Sequence, residues 1–107
     1  MIDAEYLRVM ARYSAWQNRQ LMDIVDAVDQ DALTQDRGAS FGSILGTLNH
    51  LLWGDLLWLT RFDGKTPNAP ELRSPPDWVS IWPSASAWSA DRFRCDGRII
   101  ECAKNLD

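Results

Sequence analysis

Between Phe41 and Phe62 the apolar residues leave almost no polar side: Phe41, Ile44, Leu45, Leu48, Leu52, Leu56, Leu59 and Phe62 recur at helical spacing. Leu51, Trp53, Leu57 and Trp58 widen that stripe nearly all the way round. A helix so broadly apolar has to be covered on several sides, by neighbouring helices or by a partner chain, so this run alone points to a helical bundle. Ser40 is the expected N-cap, and Asp63-Gly64-Lys65 the expected end, with Gly64 suited to a left-handed C′ position.

The flanking segments fit the same architecture. Tyr6, Met10, Tyr13, Gln17, Leu21, Ile24 and Val28 recur at steps of three and four, predicting a first helix from about Ala4 to Val28 with Asp3 as its N-cap. Asp29, Gln30 and Asp31 interrupt the stripe, and Thr34 to Ser40, with Gly38, reads as a loop. All five prolines (Pro67, Pro70, Pro75, Pro76 and Pro83) fall between residues 64 and 83, which forbids a continuous helix there and predicts a long crossover. Trp78 and Trp82 lie in it and are expected to fold back over one end of the bundle rather than stay in water. A third helix is expected from Ser84 through Trp88, Arg92, Cys95, Ile99, Cys102 and Leu106, with Arg92 interrupting its apolar face. No strand pattern or internal repeat competes. The expectation is a single all-α domain over residues 1–107, holding three quarters of a four-helix bundle whose topology needs one long connection.

Composition narrows the function classes. The 107 residues match one domain, and six tryptophans supply large apolar pieces for its core. Fifteen acidic against eleven basic residues give a net charge of -4, and the basic ones are scattered from Arg8 to Lys104, so no patch tracks phosphates and nucleic acid is not expected as a partner. Asp3 and Glu5 break up the N-terminal stretch, leaving neither a secretory signal nor a membrane span, so a soluble, cytoplasmic protein is expected. Cys95 and Cys102 on one helix would stand about 10.5 Å apart along its axis, too far for the roughly 7 Å a disulfide tolerates, so both are expected as free thiols.

His50 is the only histidine. On an apolar helix such a residue is either a metal ligand or a hydrogen-bonded core side chain, and zinc or nickel needs three or four donors. Asp55, five residues on, points about 140° away around the helix axis at 100° per residue, which makes it a poor co-ligand. Gly46 and Gly54 lie one turn either side of His50, and each costs about 1 kcal/mol in a helix interior relative to alanine. Room for a metal and close helix packing both explain them. Ser40 and Ser43 have no histidine or lysine pairing that would make a nucleophile and are better explained by capping. Asp23, Asp26, Asp29 and Asp31 share no face and read as a solvated helix end.

The segments YSAWQNRQL (Tyr13 to Leu21), FGSILGTLNHLLWGDLLWLTRFDG (Phe41 to Gly64) and the tail DGRIIECAKNLD together resemble the DinB/YfiT-like family. Leu48-Asn49-His50-Leu51, followed by Asp55 and Trp58-Leu59, looks like that family's second helix with its histidine ligand. The resemblance implies a four-helix bundle in which three histidines hold a divalent metal, nickel or zinc, with His50 as one of them. It implies the other two on a C-terminal helix, and because the sequence closes at Leu106-Asp107 the expectation is a C-terminally truncated chain with an incomplete metal site. The implied activity is a metal-dependent hydrolase or thiol-dependent transferase acting on a small molecule, in a homodimer. The rival expectation is a non-catalytic helical module that dimerises through the open bundle face, anchored by Trp16, Trp53 and Trp58.

Overall fold

A computed structural model describes residues 3–63 and 81–106. They form four helices, α1 (Ala4–Asp26), α2 (Gln30–Thr34), α3 (Ile44–Asp63) and α4 (Ala85–Lys104). The expected all-α class holds: among the described residues the only strand-like pairing is an isolated bridge between Ala39 and Gly42.

α1 begins where expected, with Asp3 in extended backbone and its carboxylate accepting the Tyr6 N–H at 2.8 Å. It stops at Asp26, two residues short of Val28, where the Ala27 N–H donates to Ile24 O at 3.2 Å and the Val28 N–H to Val25 O at 3.1 Å. The triplet Asp29-Gln30-Asp31, expected as a mere interruption, instead starts α2. Asp29 caps it by accepting the Ala32 N–H at 2.8 Å, and Leu33 drops into the core at 1% exposure. A single turn with one apolar anchor has no periodicity to display, so spacing could not reveal it.

Ser40 does not cap α3. Residues 37–42 make a tight turn in which Arg37 N–H donates to Gly42 O at 2.8 Å and Gly42 N–H to Ala39 O at 3.0 Å. Gly42 has φ +81, a left-handed conformation through which a helix cannot run. Ser43 is therefore the capping residue, its Oγ accepting the Gly46 N–H at 2.9 Å. A Cβ on Gly46 would lie 2.2 Å from the Phe41 carbonyl oxygen, so this glycine is explained by the turn backbone crossing over it. Gly54 has no such neighbour within 4 Å.

α4 starts as expected, with the Ser84 hydroxyl accepting the Ala87 N–H at 3.2 Å, and both Cys95 and Cys102 are free thiols on it. Gly64, Pro67, Pro70, Pro75, Pro76 and Trp78 lie outside the described residues. Trp82, at the far end of that proline-rich stretch, does turn inward: it is buried, and its backbone N–H and C=O both bond the amide of the fully buried Asn49, at 2.7 and 3.0 Å. Its indole N–H donates to Asp91 at 2.7 Å. One core cluster joins Val25, Leu33, Leu45, Leu48, Leu52, Leu59, Trp82, Trp88 and Cys95. α4 is the common partner, packing along α1 and along α3, while α2 packs on α3. No described helix is long and apolar enough to cross a membrane.

Candidate functional site, a groove over a buried ion network

Between α1 and α3, with α4 as its floor, lies a groove of about 500 Å3. Leu7, Met10 and Ser14 of α1 form one wall, and Asp55, Trp58 and Phe62 of α3 the other. These three α3 positions follow one another at i, i+3 and i+7, so they share one helix face. Trp58 and Phe62 stack with centroids 6.1 Å apart, and both are more than half exposed.

The floor carries charge. Arg92, 3% exposed, donates from Nη2 to Asp55 Oδ2 at 2.6 Å and to Asp96 Oδ1 at 2.7 Å, and from Nε to Asp96 Oδ1 at 3.0 Å. Asn18 of α1 adds bonds from Nδ2 to both Asp96 oxygens, at 3.2 and 3.0 Å. Three helices therefore meet at one polar cluster inside an apolar interior, where an unpaired charge would be costly. Burial by itself would lower the Arg92 pKa, but the Asp96 and Asp55 carboxylates outweigh it and raise it. Burial also pushes the Asp96 carboxyl above its ordinary range, against the pull of Arg92. The Cys95 thiol, 3.8 Å from Arg92 Nη2, is driven up to about 12, by burial first and by the nearby carboxylates, with Arg92 pulling the other way. Cys95 is thus a neutral core thiol and not a nucleophile.

His50 lies elsewhere on α3. It is half-buried, its ring stacked on Phe41 with centroids 4.0 Å apart and planes at 15°, and it is tilted against Trp53 at 5.7 Å. It does not line the groove, whereas Asp55, which the helix rotation directed away from His50, does. Among the described residues, no group of three or more His, Cys, Asp or Glu side chains could hold a metal ion. The donors described around His50 therefore do not make up a metal site. Of the residues that do converge, the sequence marked Arg92 only as a break in an apolar face and Asp55 only as a poor co-ligand of His50, and it gave Asp96 and Asn18 no role. Arg92 and Asp96, a complementary pair at i, i+4 on the face of α4 that also carries Trp88 and Cys95, were a local signal that could have found them.

A family model described as DinB family matches residues 1–93. The chain belongs to the DinB family. The match takes in α1, α2, α3 and the first half of α4, including His50 and the Asp55–Arg92 pair, though not Asp96. DinB proteins are generally metal-binding. No curated protein and no solved structure matches the chain.

Proposed function

We propose that this DinB-family chain binds a small organic molecule in the groove between α1 and α3. The observation that carries the proposal is the groove itself: about 500 Å3, apolar walls, and a few polar groups converging on the floor, which is the usual build of a small-molecule site between the helices of a bundle. We further propose a metal-dependent hydrolase or thiol-dependent transferase reaction in the cytoplasm, with His50 as one nickel or zinc ligand. Family membership supports that part, and the remaining donors would be residues other than those described around His50. Titration of the full-length protein with Zn(II) and Ni(II), followed by calorimetry and by metal analysis after dialysis, tests it. Stoichiometric binding that disappears in His50→Ala is expected; binding that survives the substitution, or no binding at all, removes His50 from the proposal.

A second reading is favoured by one observation. Trp58 and Phe62 on the groove rim, and Tyr13 and Trp16 on α1, are each about half exposed or more, a density of aromatic surface that suits a homodimer of helical modules. Sedimentation velocity over a hundredfold range of concentration separates the two. A dimer that dissociates in Phe62→Glu, with no ligand taken up by the monomer, would favour the module over the small-molecule site.

A further inference from the structure

We propose that the occupant of the groove is an organic cation, a protonated amine carried on an apolar body. The inference rests on the small-molecule reading of this groove and adds the charge of its ligand.

The charge balance of the floor decides the sign. Two carboxylates, Asp55 and Asp96, face a single guanidinium, so the cluster carries one net negative charge beneath apolar walls. Two of the three Arg92 nitrogens are already committed inside the cluster. Its Nη2 is directed at Asp55, Asp96 and the Cys95 sulfur, and its Nε at Asp96. Both oxygens of Asp96 accept from Asn18, one of them from Arg92 as well, and Asp96 is 6% exposed. Asp55 differs. Arg92 engages only its Oδ2, and its side chain is 49% exposed, so Oδ1 is the acceptor a ligand can reach. A carboxylate or phosphate head would meet two like charges there, whereas an ammonium would complete the balance at one to one.

The wall above Asp55 suits the same ligand. Trp58 stands one helical turn along, and its ring already carries a cation, with the Arg61 guanidinium carbon 5.1 Å from the centroid. Arg61 takes part of that ring, and because Trp58 is 56% exposed, indole surface remains beside it for a ligand cation. Phe62 extends that wall, and Leu7 and Met10 across the groove offer apolar contact for the ligand body. Arg8, at the edge of the groove, is engaged by the carbonyls of Ala103 and Leu106 and offset by Glu5 at 3.7 Å.

Three probes of one shape test the idea on the full chain at pH 7: 4-phenylbutylamine, 4-phenylbutan-1-ol and 4-phenylbutyrate. Binding is read by NMR from the Trp58 indole N–H, assigned with Trp58→Phe. The amine is expected to bind about tenfold more tightly than the alcohol, and the carboxylate most weakly, as expected for one charge-assisted hydrogen bond. In Asp55→Asn the amine should fall to the level of the alcohol while the alcohol is unchanged, and the retained alcohol affinity reports an intact groove. An amine that binds no better than the alcohol, or an equal loss of all three probes in Asp55→Asn, overturns the cation and leaves the small-molecule site standing. Failure of every probe at millimolar concentration overturns both. A concentration-dependent dimer that shields the Trp58 indole from all three probes assigns the groove to a second copy and overturns both as well.

Discussion

Arg92 occupies a position where an apolar side chain would extend the α4 stripe, and its burial is tolerable only because Asp96 and Asp55 meet it there. Removing the guanidinium leaves Asp96 buried beside Asn18 alone. Arg92→Met is therefore expected to lower the unfolding free energy by about 3–5 kcal/mol, whereas Arg92→Met combined with Asp96→Leu recovers most of the loss, since an apolar pair of similar volume carries no desolvation penalty. Urea denaturation of the three proteins checks this, and equal stability of the single and double variants would refute it. Asp55, about half exposed, contributes less to the network than Asp96. Asp96 also imposes a pH dependence. Its folded pKa is raised above the ordinary aspartate value of 3.8, so across the window from 3.8 up to the raised value the folded chain holds a proton that the unfolded chain has released. The contribution of Asp96 to stability accordingly falls as pH rises through that window and is level above it. Relative to Asp96→Asn, the wild type should lose ground over that interval; urea midpoints at closely spaced pH values give the comparison, and a flat or rising difference would exclude the assignment.

At the scale of the elements, caps and ties set where helices begin. Ser43→Ala should cost about 1 kcal/mol, because it strips the Gly46 N–H of its acceptor, while Ser40→Ala should cost a few tenths at most. Thermal or urea unfolding of the pair distinguishes the observed cap from the one expected by spacing. The same spacing rules placed the start of α1 and of α4 correctly, because Asp3 and Ser84 sit in extended backbone directly before the first helical turn. They began α3 too early, at Ser40, because the left-handed turn at Gly42 is a backbone conformation, and apolar periodicity runs straight through it in the sequence. Asn49 is the tie between α3 and the segment entering α4. Its amide is the partner of both backbone groups of Trp82, so Asn49→Leu strands a buried N–H and C=O together. A loss of at least about 2 kcal/mol is expected, together with weaker hydrogen-exchange protection at the start of α4. Unchanged protection there would show that Trp82 is held by its indole contacts instead.

For the molecule as a whole, one core cluster links all four helices, and Cys95 sits in it at 1% exposure with its thiol pushed up to about 12. Cys102 is half-buried on the groove side. Iodoacetamide at pH 8 should therefore modify Cys102 at least roughly a hundredfold faster than Cys95, whose labelling waits for global opening and should accelerate in step with the destabilisation in Arg92→Met. Comparable rates for the two thiols would contradict the placement of Cys95 in the core. The all-α class, the three long helices, the Asp3 cap and the inward turn of Trp82 were legible in the sequence, because each depends on local spacing or on burial that any compact arrangement must supply. His50 was legible as a placed residue on the second long helix, and its stacking on Phe41 was not, since that contact depends on the turn before α3. The groove and its ion network were decided by tertiary structure alone. Asn18, Asp55, Arg92 and Asp96 come from three helices, and only the packing of α4 along both α1 and α3 brings two carboxylates, a guanidinium and an amide within hydrogen-bonding distance.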